Sequence, residues 1–79
     1  MLAGATKQDL RVEFLKPKDK LRGERNRRRW TTSYVGAMVG LSRRQYELKE
    51  KGVYPFNDYE MLIIARAMEI PVGALFFED

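Results

Sequence analysis

Val39-Gly40-Leu41-Ser42-Arg43-Arg44-Gln45-Tyr46-Glu47-Leu48-Lys49-Glu50-Lys51-Gly52 is the stretch that decides the fold. Gly40 can take the left-handed conformation that ends a helix, and Leu41 can plug a core beneath the turn. Ser42 is a good N-cap for a helix from Arg43 to about Lys51, which Gly52 then terminates. The first turn of that helix holds Arg43, Arg44 and Gln45, three long hydrogen-bonding side chains at an exposed helix start.

Upstream, Thr31 is a suitable N-cap for a short helix from Thr32 to Val39, with Val35, Met38 and Val39 on one face. Gly36 costs that helix about 1 kcal/mol against alanine. Its presence predicts a second helix passing too close for a side chain. Lys16-Pro17-Lys18-Asp19 reads as a break and a cap near Asp19, opening a helix to about Arg28 with Leu21 inward. Leu10, Val12 and Phe14 alternate with Arg11, Glu13 and Leu15, a weak period of two that allows one short strand.

Downstream, Val53 to Phe56 form a loop stiffened by Pro55. Asn57 and Glu60 have capping-box spacing. They open a helix from Asp58 to Met68 that is expected to bury Met61, Leu62, Ile64, Ala65 and Met68. Pro71 can start a short fifth helix through Phe76. The expected architecture is all-α and five-helical, with residues 1–15 as an arm or short N-terminal β-strand and 16–79 as the domain. Trp30, Met38, Leu62, Leu75 and Phe76 are candidate core. Phe76 and Phe77 cannot both be buried by so short a helix, and both are dimer candidates.

The 79 residues suffice for one small domain. There is no cysteine and no histidine, which removes disulfides, thiolate or imidazole metal sites and imidazole catalysis. No catalytic residue, cofactor, metal or small-molecule substrate is expected. No apolar run approaches the roughly 20 residues of a membrane span, and no secretory signal is evident, so a soluble cytoplasmic protein is expected. The net charge is +4, but it is segregated. Fourteen of the fifteen Lys and Arg residues precede Asn57, against six of the eleven acids. The basic part is suited to a polyanion.

Two short helices joined through Gly40-Leu41-Ser42 make a helix-turn-helix, whose second helix can enter a DNA major groove. Arginine can donate twice to guanine O6 and N7, and glutamine can pair with adenine in the same way. Glu47 can accept from cytosine N4 or orient an arginine. Tyr46 is expected to pack against helix two. Arg27, Arg28 and Arg29 are either solvated charge or phosphate contacts.

From Leu21 to Phe76 the chain resembles the Cro and phage-repressor (lambda-repressor-like, Xre-type) helix-turn-helix family. The residues that carry this are Leu21-Arg22, Trp30-Thr31, Val35-Gly36, Val39-Gly40-Leu41-Ser42, Glu50-Lys51-Gly52, Leu62-Ile63-Ile64-Ala65-Arg66-Ala67-Met68-Glu69-Ile70 and Leu75-Phe76. The resemblance implies base contacts from Ser42, Arg43, Arg44 and Gln45, and a bracing pair between Arg25 and Glu50. It also implies backbone contacts from Thr31, Thr32 and the Gly52 amide, to which Ser33 and Tyr54 are added as neighbours. Gly36 stands where the family has alanine, Lys49 where it has an apolar residue, and the loop after Gly52 is one residue shorter.

These features predict a sequence-specific double-stranded DNA-binding regulator, a repressor of phage or mobile-element type. It would act in the nucleoid as a homodimer on a palindromic operator. The competing expectation is a protein-interaction module, such as an antitoxin, anti-repressor or inhibitor, built on the same scaffold.

Overall fold

The computed structural model describes residues 15–77. The expected strand and the rest of the N-terminal arm lie almost wholly outside them; Leu15 alone is described, in a bend. Four α-helices follow in order: α1 (Asp19–Arg27), α2 (Thr32–Met38), α3 (Arg43–Glu50) and α4 (Asp58–Met68). A short π-helix, Gly73–Phe77, is the expected fifth helix. The described residues contain no strand.

Local chemistry sets these boundaries. Thr31 Oγ1 accepts the Tyr34 amide at 3.0 Å to start α2. Ser42 and Gln45 form a reciprocal capping box on α3, with Ser42 Oγ accepting the Gln45 amide at 3.1 Å and Gln45 Oε1 accepting the Ser42 amide at 2.9 Å. Glu60 Oε1 accepts the Asn57 amide at 2.8 Å at the start of α4. At the start of α1 the N-cap is Lys18, the neighbour of Asp19; it gives no side-chain cap, and Asp19 sits in the first turn. That end is pinned by the Lys18 amide donating to the Glu50 carbonyl at 2.9 Å. Arg29 at φ 59° and Glu69 at φ 58° close α1 and α4 in left-handed turns.

The core gathers Leu21, Val35, Tyr46, Ile64, Ala65, Met68, Leu75 and Phe76. Phe56 bridges two other rings edge-on, Tyr46 at 5.8 Å and Phe76 at 5.2 Å between centroids. Helices α2 and α3 pack tightly through Gly36. A Cβ there would stand 3.0 Å from the Leu41 carbonyl oxygen and 3.2 Å from Tyr46 Cβ. The close approach expected from that glycine is therefore present, with Tyr46 against α2. Trp30, Met38, Leu41 and Met61 pack on the core while partly exposed.

Leu62 corrects the sequence expectation, being 47% exposed. Its helix buries Glu60, Ile64, Ala65 and Met68. Two residues advance an α-helix by about 200°, so Leu62 falls on the opposite side from Glu60 and Ile64. No helix among the described residues is long and apolar enough to cross a membrane.

Candidate nucleic-acid interface

Gly40, at φ 74°, turns the chain between α2 and α3, and the Leu41 amide returns to the Gly36 carbonyl at 2.9 Å. Leu41 thereby packs on the core while Ser42, Arg43, Arg44 and Gln45 are all exposed at the start of α3. The Arg44 side chain makes no hydrogen bond or ion pair with a described residue. Arg43 has one loose partner, Glu47 Oε2 at 3.4 Å, and 71% of its side chain is exposed. A surface pair of this kind is worth about 0–1 kcal/mol, so Arg43 is free to leave it for a phosphate or a base.

Gln45 is less free. Its Oε1 already holds the Ser42 amide, leaving the side-chain NH2 as its spare donor. Bidentate pairing with adenine would load both groups. Glu47 accepts the Thr32 hydroxyl at 2.7 Å. That bond is the first cause of a carboxyl held below its ordinary value, with Arg43 and Lys51 adding to it. Thr32 therefore spends its only side-chain donor inside the protein. Thr31 and Ser42 use their hydroxyl oxygens as acceptors in caps, which leaves each O–H free to donate outward. Ser33 is exposed in the same turn as Thr31.

The arginines after α1 divide. Arg29 is exposed and its side chain has no partner among the described residues. Arg27 is exposed but paired with Glu24 at 2.6 Å. Arg28 is built into the fold, as it donates to Glu24 Oε1 at 2.6 Å and to the Met68 carbonyl at 2.8 Å, and lies over the Trp30 ring at 5.8 Å. Its expected phosphate role conflicts with those bonds.

Gly52, at φ 88°, gives its amide to the Lys49 carbonyl at 3.1 Å and not to solvent. Its glycine identity answers to chain crowding, since a Cβ there would overlap the Leu15 carbonyl oxygen. Tyr54 is 55% exposed in the loop beyond. Phe76 is 3% exposed and belongs to the core, which removes it as a dimer contact, whereas Phe77 is 53% exposed.

Behind the surface, Arg25 and Glu50 are joined as expected, through two bonds of 2.9 Å. Burial first, and then its bond to Glu50, push the Tyr46 hydroxyl far above its ordinary value, so it remains a donor. Beside this pair runs a polar groove lined by Asp19, Arg22, Thr32, Glu47 and Lys51. Arg22 and Lys51 are cations of this face that sequence reasoning treated only as framework. Arg22 stood in the Leu-Arg opening and Lys51 in the Glu-Lys-Gly turn, and neither position by itself showed that the two line one groove. The described residues hold no cluster of acids able to bind a metal.

The chain matches no protein-family model, no curated protein and no solved structure.

Proposed function

We propose that the chain is a sequence-specific double-stranded DNA-binding regulator of the helix-turn-helix, Cro and phage-repressor type, with α3 as the helix that enters the major groove. The observation that carries this reading is the pair of exposed, weakly held guanidinium groups of Arg43 and Arg44, presented at the start of a helix by a tight turn. Thr31, Ser33, Ser42 and Arg29 are exposed and suit backbone contacts. One such helix spans few base pairs. Adequate affinity calls for two copies on half-sites about 34 Å apart.

A gel shift tests this reading, with random duplex and with duplexes selected from a random pool, across a salt series. If about six phosphates are neutralised, affinity falls roughly a thousandfold between 50 and 200 mM salt. Arg44→Ala is expected to weaken selected duplex more than random duplex if it reads a base, and both equally if it holds a phosphate. No binding to any duplex at the lowest salt overturns the reading and favours a protein partner.

A further inference from the structure

The outward face of α4 is unusual for a helix of so small a domain. Tyr59, Leu62 and Ile63 are 54%, 47% and 39% exposed. The side chain of Arg66, also exposed, makes no hydrogen bond or ion pair with a described residue. At 3.6 residues per turn, Tyr59 and Arg66 fall on one line along the helix, with Leu62 and Ile63 flanking it on either side. The buried side of the same helix is filled by Glu60, Ile64, Ala65 and Met68, and among the described residues this second face is left largely open.

We propose that this face is the contact between two copies of the chain, with their α4 helices antiparallel about a two-fold axis between Leu62 and Ile63. The assignment to a second copy rests on internal symmetry. That axis exchanges Leu62 with Ile63, placing apolar against apolar at the centre. It also exchanges Tyr59 with Arg66, placing each unpartnered guanidinium over the Tyr59 ring of the second copy. Every group on the stripe then meets its complement, as a self-complementary interface requires. Cation–π contacts between arginine and tyrosine are favourable. An unrelated partner would need no such correspondence between the two ends of one helix. A lipid surface would select more cations on the rim than Arg66 alone.

The contact uses one helix of 11 residues, so it lies at the small end of protein interfaces and gives a weak dimer in free solution. It also supplies the two-fold pairing that the DNA-binding reading needs, and its biological use rests on that reading; the contact itself does not involve Arg43 or Arg44.

Sedimentation velocity without DNA over a concentration series provides the test. Wild type is expected to show a reversible monomer–dimer equilibrium, and Leu62→Glu to remain monomeric at every concentration. Leu62 is half exposed, so an unchanged helical spectrum and unfolding midpoint will show that the variant is folded; should it fail, Arg66→Glu, at a side chain with no bond to a described residue, replaces it.

Because the chain has no cysteine, register can be read by oxidative cross-linking. Tyr59→Cys mixed with Arg66→Cys is expected to give a heterodimer, while each variant alone gives little. A wild type that is monomeric throughout overturns the proposal, as does a Leu62→Glu protein that dimerises normally or cross-linking of either variant alone. Loss of DNA binding with an intact dimer would instead reject the functional reading and leave this one standing.

Discussion

Arg25 and Glu50, at the far ends of α1 and α3, grip each other through two hydrogen bonds of 2.9 Å, Nε to Oε2 and Nη2 to Oε1. The Tyr46 hydroxyl adds a third bond, to Oε2, at 2.6 Å. Both charged side chains are nearly buried, so their desolvation offsets much of the attraction, and the pair fixes geometry more than it adds stability. Removing one partner is a different matter. Arg25→Ala leaves a buried carboxylate short of donors and is expected to cost about 3–5 kcal/mol. Tyr46→Phe removes one bond to a charged acceptor and is expected to cost about 1.5–3 kcal/mol. Urea unfolding checks both. A double change to apolar residues, Arg25→Met with Glu50→Leu, should cost less than Arg25→Ala alone. If it costs more, the pair is a net source of stability.

A second buried contact lies between α3 and α4. Lys49 Nζ reaches both oxygens of Glu60, at 2.7 and 3.0 Å, and Glu60 is only 1% exposed. Glu60 also accepts the Asn57 amide, so the same carboxylate caps α4 and ties it to α3. Lys49→Met is expected to cost about 3 kcal/mol by stranding that charge. Adding Glu60→Gln, which keeps an acceptor for the Asn57 amide, should recover part of the loss. A double-mutant cycle measures the coupling, and a value near zero would show that the pair is not formed in solution.

Much of this architecture was legible from short-range chemistry. Thr31, Ser42 and Asn57 mark helix starts, because each is a polar cap directly ahead of a helical pattern. Gly36 marks a close approach for the same local reason. What stayed hidden depended on contacts distant in sequence. Lys49 stands where the family resemblance expects an apolar residue, and only its meeting with Glu60 explains how a cation is accommodated there. Leu62 is apolar within an apolar run, so hydrophobicity alone assigned it to the core. The period of the helix places it outside. Arg28 lay within a basic run, and its bond to the Met68 carbonyl, 40 positions away, could not be read from that run.

Acid should loosen the end of α1. The Glu24 carboxyl accepts from both Arg27 and Arg28 at 2.6 Å, and those bonds hold it below its ordinary value of 4.5, with Arg27 the first cause. An unfolded chain binds the extra proton at the higher pH, so the contribution of Glu24 is complete above that value. It is lost as pH falls through the lower, folded one. Thermal melts at a series of pH values below 4.5 are expected to fall more steeply for wild type than for Glu24→Gln. Parallel curves would mean that the two arginines do not hold Glu24 in solution.

Glu47 sits where the DNA-binding reading is most exposed to test. Its carboxylate takes the Thr32 hydroxyl and lies 3.4 Å from Arg43, so it places a negative charge among groups proposed to meet phosphates. As a restraint on Arg43, it opposes association with any duplex. Glu47→Gln would then strengthen binding to random and selected DNA alike, and steepen the dependence of log affinity on log salt by up to about 0.9 as one more cation engages. As an acceptor for cytosine N4, it would favour one base pair. The same substitution would then weaken selected duplex by about 1–3 kcal/mol at one operator position and leave random duplex almost unchanged. The restraint is the expected result, because both Glu47 interactions within the protein are already formed. Titrations of the two duplexes at matched salt separate the cases.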